Sequence, residues 1–297
     1  MKKWLLIAIL LLIGSLANLG AVLAQETTPE PVPVMPTFDQ LENGWAMLIP
    51  GGSTICARGT PYAFFVHRGD PSKLMVYFQG GGGCWNAYSC SSGADVFKDS
   101  IQAGELDIYR GIFDFEQPEN PFRDYTFVVA AYCSADFFTG NTEQVYSPLI
   151  GDDIAISHRG AINTAAVLDW TYENIPAPDS LVIAGSSAGA IGAYAHAERI
   201  LEHYTSVNPD LEALVFGDAG IGVSGESIGD PWGFAASMPA EMTLEDMNIH
   251  AVMDAFTERL ISRYPTVPIV GFTTIEDSVQ VYFYESLTGL IPTGGQT

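Results

Sequence analysis

The chain has 297 residues, a formal net charge of -23 at pH 7 and 47% hydrophobic residues, which is enough for one large folded core. Its 12 Lys and Arg stand against 35 Asp and Glu, so nucleic acid and anionic membrane surfaces are excluded as expected partners. The same charge disfavours a strongly anionic substrate unless basic residues gather at the site.

The first 24 residues have the three-part pattern of a secretory signal peptide. Lys2 and Lys3 form a basic start, an apolar run covers residues 4–16, and small residues precede Gln25. An uncleaved anchor is the alternative, but the apolar run is shorter than the roughly 20 residues of a spanning helix. We therefore predict a secreted protein, periplasmic or extracellular, with no stable membrane insertion.

Residues 25–38 are rich in proline and lack apolar periodicity, which predicts an extended leader. A single domain is then expected over residues 39–297. Within it, short apolar runs rich in β-branched and aromatic residues alternate with longer helical patterns. The predicted strands cover 62–66, 74–78, 125–130, 181–183, 211–216 and 267–272, and the predicted helices cover 159–175, 188–204 and 243–263.

The last predicted helix has a start that resembles a capping box, formed by Thr243 and Asp246. Its apolar stripe consists of Ile249, Val252, Phe256 and Leu260. Strands that are apolar on both faces and are separated by helices are typical of a buried parallel sheet. The predicted fold class is therefore α/β, with a mainly parallel central sheet and helices on both faces.

Four cysteines occur in this predicted secreted chain, where disulfides persist. The short spacing of Cys84 and Cys90 favours one disulfide between them, which by elimination pairs Cys56 with Cys133. No CxxC pattern and no Cys/His cluster is present in the sequence. A metal site is not expected, and no cofactor is predicted.

The stretch AGSSAGA, residues 184–190, lies where a predicted strand runs directly into a predicted helix. Gly-x-Ser-x-Gly at such a junction is the pattern of a nucleophile elbow, a tight turn in which glycines leave room for the neighbouring strand and helix. This makes Ser187 the candidate nucleophile and Ser186 a spacer. The alternative is a turn of small residues without chemical function.

A nucleophilic serine needs donors for the oxyanion that forms on an attacked carbonyl. The run of four glycines after the strand at 74–78 provides a loop whose backbone can approach a substrate closely. Gly82, Gly83 and Ala188 are the candidate donors, and a flexible turn is the alternative for the loop. The turn after the last predicted strand carries two candidate acids, Glu276 and Asp277, or is simply an exposed acidic turn.

Several ordered motifs together resemble the pectinacetylesterase and Notum family of α/β hydrolases. They extend from about residue 46 to the end of the chain. The motifs are TIC at 54–56, GTP at 59–61, VYFQGGGGC at 76–84, AYCSAD at 131–136 with Gly140, GSSAG at 185–189, DAG at 218–220 and DSVQ at 277–280. The resemblance implies that Ser187 is the nucleophile and that Asp277, rather than Glu276, is the triad acid.

The resemblance also implies a catalytic histidine after the acid, but all five histidines of the chain precede Asp277. His196 and His203 share a predicted helix face with Arg199 and are expected to point to solvent. His158 precedes a helix and is the least unfavourable internal candidate for the base. We expect the domain to be incomplete at its C-terminus, lacking a strand, a helix and the histidine beyond Thr297.

The expected function is a secreted serine carboxylic-ester hydrolase that removes acetyl groups from polysaccharide through a Ser-Asp-His triad. The expected partner is an acylated polysaccharide or another ester, and the net charge favours neutral or heavily esterified glycans. Two alternatives remain open: hydrolysis of long acyl chains from lipid or protein, and a glycan- or lipid-binding protein without activity.

Overall fold

The structure is a computed structural model of the chain that describes residues 34–220, 222, 229–237, 242 and 248–287. The predicted signal peptide, residues 25–33 of the leader and the capping box at Thr243 lie outside the described residues. Within the described part, no helix is both long enough and apolar enough to cross a membrane.

Nine strands and four α-helices occur in the described part of the chain. The strands are β1 (Trp45–Leu48), β2 (Phe64–His67), β3 (Asp70–Phe78), β4 (Tyr125–Ala130), β5 (Thr142–Tyr146), β6 (Ile154–His158), β7 (Ser180–Ser186), β8 (Glu212–Asp218) and β9 (Ile269–Phe272). The α-helices are α1 (Gly160–Asn174), α2 (Ala188–Val207), α3 (Ile249–Arg263) and α4 (Ser278–Leu287).

Seven strands form one mixed sheet in the order β1-β2-β4-β3-β7-β8-β9. The five strands from β4 to β9 pair in parallel, whereas β1 and β2 are added antiparallel at one edge. The mainly parallel α/β fold predicted from the sequence is confirmed. Strands β5 and β6 pair separately as an antiparallel hairpin.

The two faces of the sheet are covered differently. Successive side chains of β3 point to opposite faces. Leu74, Val76 and Phe78 pack in the core formed with α1, α2 and α3. Met75 and Tyr77 pack in a second, aromatic core that includes Leu106 and Phe113. These two residues belong to the short 3-10 helices Glu105–Ile108 and Gly111–Phe113, which pack on this face in the described part of the chain.

All six predicted strands and all three predicted helices are present. The strand predicted at 125–130 matches β4 at both ends, most other ends are shifted, and residues 243–247 of the last predicted helix lie outside the described residues. Helix α3 is described from Ile249, and the side chain of Asn248 caps it by accepting from the N–H groups of His250 and Ala251. Strands β1, β5 and β6 and helix α4 were not predicted. Their exposed positions interrupt the continuous apolar runs from which the other elements were identified.

Both predicted disulfides are present. Cys56–Cys133 joins residues 77 positions apart and Cys84–Cys90 joins residues six positions apart. The long-range disulfide ties the segment before β2 to the segment after β4, and the N–H of Ala57 donates to the carbonyl of Cys133 beside it. The short disulfide closes the loop that follows the glycine run.

We predict that Cys56→Ala with Cys133→Ala lowers the free energy of unfolding by about 4 kcal/mol, and Cys84→Ala with Cys90→Ala by about 2 kcal/mol. The difference arises because a longer closed loop removes more entropy from the unfolded chain. Urea denaturation of the two double variants and the unmodified protein measures it. Equal losses in the two variants would contradict this account.

Candidate active site

Ser187 forms the turn between β7, which ends at Ser186, and α2, which begins at Ala188. Its backbone has φ 54° and ψ -124°, a conformation that is strained for a residue with a side chain. The turn is held on both sides, because the N–H of Ser187 donates to the Asp218 carbonyl at 2.7 Å and its own carbonyl accepts from Ala190 at 2.9 Å. This is the geometry of a nucleophile elbow.

The glycines around the elbow are required because no side chain would fit at their positions. A Cβ at Gly185 would overlap the carbonyl oxygen of Gly189, and a Cβ at Gly189 would overlap that of Phe78. A Cβ at Gly80 would lie 2.8 Å from the Ser186 carbonyl oxygen. The start of α2, the end of β3 and the elbow therefore approach more closely than side chains would permit.

The three predicted oxyanion donors differ in whether their backbone N–H groups already have an acceptor. The N–H of Gly83 donates to the Val96 carbonyl at 3.3 Å, so it is already engaged. The N–H groups of Gly82 and Ala188 donate to no acceptor among the described residues. Ala188 is also the first residue of α2, where backbone N–H groups lack partners within the helix. Of the three predicted donors, Gly82 and Ala188 are thus the two whose N–H groups have no acceptor among the described residues.

A buried tyrosine fixes the orientation of Gly82. The hydroxyl of Tyr132 donates to the Gly82 carbonyl at 2.7 Å and accepts from the N–H of Phe137 at 3.1 Å. The Tyr132 ring also lies where a side chain at Gly81 would be. Tyr132 belongs to the AYCSAD motif, but its role is not predictable from the sequence, because its partners lie 5 and 50 residues away in the chain.

The segment after Cys133 is strained, and one buried carboxylate holds it. Ala135, Phe137 and Phe138 all have positive φ. Asp136 lies between them and accepts from the Ser134 hydroxyl at 2.6 Å, the Phe138 N–H at 3.1 Å and the Gly160 N–H at 2.7 Å. Burial raises the pKa of Asp136 to about 6, although these hydrogen bonds act against the rise. The result is a fixed position for the Phe137 ring.

Asp277 caps helix α4. Its Oδ1 accepts from the N–H groups of Val279 and Gln280, and its Oδ2 accepts from the Gln280 side-chain amide at 2.9 Å. These hydrogen bonds, of which those from Gln280 have the largest effect, lower the pKa of Asp277. Burial and the nearby charge of Asp277 raise the pKa of Asp218. Asp277 itself lines a separate groove, but Gln280 lines both that groove and the cavity beside Ser187.

The histidines make contacts away from Ser187, and the structure changes what was expected of His158 and His196. His158 is buried with Nε2 bonded to the Tyr146 hydroxyl at 2.9 Å and Nδ1 bonded to the Ser134 carbonyl at 3.1 Å, and burial lowers its pKa to about 4. It is therefore not placed as the base. The prediction that His196 points to solvent was wrong, because it is buried, stacks on Phe78 and bonds the Phe138 carbonyl.

His203 stacks on the ring of Tyr172, His67 stacks on Phe115, and His250 lies on the exposed side of α3 near Asp254. None of the five histidines of the chain lines a cavity at Ser187. The described residues also contain no group of three or more His, Cys, Asp or Glu side chains that could hold a metal ion.

Two cavities of different character meet at Ser187. The smaller one, which we call the acyl-side cavity after the role proposed for it, has a volume of about 60 Å³ and is mainly apolar. The open cleft has a volume of about 700 Å³ and lies between the glycine loop, residues 93–98 and α4. Gly82, Ser187 and Phe283 line both. The other residues of the acyl-side cavity are Trp85, Phe137, Ala188, Ile191, Ala219, Gly220, Gly222, Ile249, Gln280 and Leu287.

The sequence pattern that defines the pectinacetylesterase family matches residues 49–229. The chain belongs to the pectinacetylesterase family. Within the matched segment lie the glycine loop, both disulfides, the Asp136 segment and the elbow at Ser187. Asp277 and Phe283 lie outside it.

Similar proteins include both named branches of this family. Pectin acetylesterase 4 of Arabidopsis thaliana is 23% identical over 210 residues, which is 68% of this chain and 49% of that protein. The human palmitoleoyl-protein carboxylesterase NOTUM is 23% identical over 180 residues, 58% of this chain and 35% of that protein. The chain therefore spans between about a third and a half of these relatives.

A solved structure of the Wnt deacylase Notum from Drosophila superimposes with a TM-score of 0.46 and 18% identity, covering 82% of this chain and 74% of that chain.

We predict that Tyr132→Phe lowers the free energy of unfolding by about 1–3 kcal/mol, because it leaves the Gly82 carbonyl and the Phe137 N–H without their shared partner. Tyr62→Phe is the matched control. The Tyr62 hydroxyl is also buried but has no hydrogen-bond partner in the described structure, so its loss should change stability by less than about 0.5 kcal/mol. Urea denaturation compares them, and equal effects would contradict the bridging role.

Proposed function

We propose that this protein is a serine carboxylesterase that removes short acyl groups. The observation that carries the proposal is the position of Ser187: a strained elbow places it at the mouth of an apolar cavity, with the N–H groups of Gly82 and Ala188 free to donate. A pure binding site has no need of such a strained turn. Membership of a family whose named relatives are esterases supports the same function.

In the proposed reaction, the Ser187 hydroxyl oxygen attacks the ester carbonyl and its proton passes to a base. The carbonyl oxygen becomes an oxyanion that accepts hydrogen bonds from Gly82 and Ala188. Collapse of the tetrahedral intermediate breaks the bond to the alcohol oxygen, which leaves with a proton, and an acyl-serine ester remains. Water then attacks this ester and releases the carboxylic acid and free Ser187.

Asp277 is proposed as the acid that orients the base. The hydrogen bonds from Val279 and Gln280 keep it ionised, as this role requires. The family resemblance makes the base a histidine, and none of the five in this sequence is placed at Ser187. A second candidate function is a binding protein of the same family, which the open cleft of about 700 Å³ beside Ser187 supports.

The size of the acyl-side cavity favours an acetyl group. Its volume of about 60 Å³ is well below the ~150 Å³ of an apolar cavity that holds benzene. As bounded by the described residues, it is too small to enclose a long acyl chain such as the palmitoleoyl group in the names of the Notum relatives. Trp85 and Phe283 account for part of this restriction, because their ring centroids lie 6.3 Å apart at the cavity.

The proposed substrate is an acetylated polysaccharide outside the cytoplasm. Two disulfides persist in an oxidising compartment, which supports secretion. The named pectin acetylesterase relatives support a polysaccharide, while the net charge of -23 favours a neutral or heavily esterified one.

We predict that Ser187→Ala reduces hydrolysis of p-nitrophenyl acetate to the rate of the buffer, because the nucleophile is lost. Ser186→Ala is the matched control, since Ser186 lines neither cavity, and it should keep most of the activity. His158→Ala should lower turnover only in proportion to any loss of folded protein. If the unmodified protein hydrolyses the ester, an equal rate in Ser187→Ala would refute the nucleophile. No turnover in the unmodified protein would instead favour the binding function.

We predict that Phe283→Ala raises kcat/KM for p-nitrophenyl butanoate relative to acetate by about tenfold, because the cavity gains room for the two extra methylenes, each worth about 0.8 kcal/mol when buried. Val281→Ala, on the exposed side of the same helix, should leave the ratio unchanged. An unchanged ratio in Phe283→Ala would show that this side chain does not limit the acyl group.

A further inference from the structure

The open cleft at Ser187 has features that differ from those of the acyl-side cavity. It is about ten times larger, and it is bordered on one side by the glycine loop and on the other by α4. An ester has an acyl part and an alcohol part on opposite sides of the attacked carbonyl. If the small cavity holds the acyl part, the alcohol part extends into the open cleft.

Aromatic rings line this cleft on both sides. Tyr282 and Phe283 come from α4, and Phe97 comes from the opposite loop. The Phe97 ring is held by the Arg58 guanidinium, whose carbon lies 5.1 Å from the ring centroid, and Arg58 is in turn held by Asp99 at 2.7 Å. Rings that are fixed and half-exposed suit a sugar ring, whose C–H face is apolar and whose hydroxyl groups remain in water.

Of the two charged side chains that line the cleft, Lys98 has an ionic partner, whereas Asp95 has none among the described residues. Lys98 is neutralised by Glu105 at 3.0 Å, and its ammonium also donates to the Tyr132 carbonyl. Asp95 is the other charged side chain that lines the cleft, and it has no ionic partner among the described residues. Asp95 is exposed and has φ 50°, a backbone conformation in which Asp and Asn are favoured over most other residues.

We infer that the open cleft is the subsite for the alcohol part of the ester, that Tyr282 is its stacking platform, and that Asp95 makes it select uncharged saccharide chains over anionic ones. The inference rests on the proposed function for the direction of the substrate at Ser187. Saccharide binding to the cleft does not itself require turnover, so the subsite and the proposed esterase function can fail separately.

The experiment measures binding by isothermal titration calorimetry to the full chain carrying Ser187→Ala, which prevents hydrolysis. The two probes have equal length: acetylated xylohexaose, which is neutral, and hexagalacturonate, which carries a carboxylate on each ring. At low salt we expect the neutral probe to bind at least about tenfold more tightly. Esterase activity is measured separately with the unmodified protein, and its absence would contradict the proposed function but not this subsite.

Tyr282→Ala should weaken binding of the neutral probe about tenfold by removing the stacking surface. Tyr284→Ala is the matched control, because the same residue type on the same helix lines the separate groove at Asp277. It should change the affinity less than twofold. Equal affinities in the two variants, or no binding of the neutral probe to the Ser187→Ala protein, would overturn the assignment of the subsite.

Asp95→Asn removes the charge and keeps a residue that tolerates positive φ. It should tighten hexagalacturonate binding about fivefold at low salt, the size of one close charge repulsion in water, and leave the neutral probe unchanged. The gain should vanish at high salt. Asp210→Asn is the charge-matched control, because Asp210 precedes β8 and lies at the opposite end of that strand from Ser187. Hexagalacturonate binding that is unchanged or still undetectable in Asp95→Asn would overturn the role of Asp95.

Discussion

The close approach of three backbone segments at the elbow is the constraint on which the site depends. The end of β3, the end of β7 and the start of α2 meet at distances that exclude side chains at Gly185 and Gly189. This contact turns the chain sharply enough to force Ser187 to a positive φ, and it brings the glycine loop after β3 beside the serine. Ser187 and the glycine loop are therefore positioned by one packing arrangement, with the parallel sheet as its rigid support.

A second set of interactions transmits this arrangement to the walls of the acyl-side cavity. Asp136 holds three strained residues in place, and Tyr132 joins that segment to Gly82 through a single hydroxyl. The Cys84 carbonyl accepts from the Trp232 indole at 2.7 Å, and the Cys84 N–H donates to Ala135. The strain is thus supported by buried polar contacts, as is common where a protein fixes reactive groups.

The two sides of Ser187 differ in a way that matches the two parts of an ester. The acyl side is small, mainly apolar and lined by residues from distant parts of the chain, whereas the other side is larger and carries aromatic rings and the acid Asp95, whose charge is unpaired among the described residues. Phe283 separates the two. A chain with 35 acidic and 12 basic residues has few cations with which to attract an anionic polymer, and the one lysine at the cleft is already paired.

The sequence by itself determined the parallel core strands, the three long helices, the disulfide pairs and the elbow at Ser187. These features depend on local apolar runs, on glycine spacing and on a short cysteine spacing, all of which can be identified in the linear sequence. Only the tertiary structure decided that Gly83 is engaged by Val96, that His196 is buried and that Tyr132 bonds Gly82. It also decided that none of the five histidines of this sequence lines the two cavities described at Ser187. Each of these depends on which distant residue supplies a hydrogen-bond partner or covers a helix face, and that is set by the packing of the whole domain rather than by local sequence.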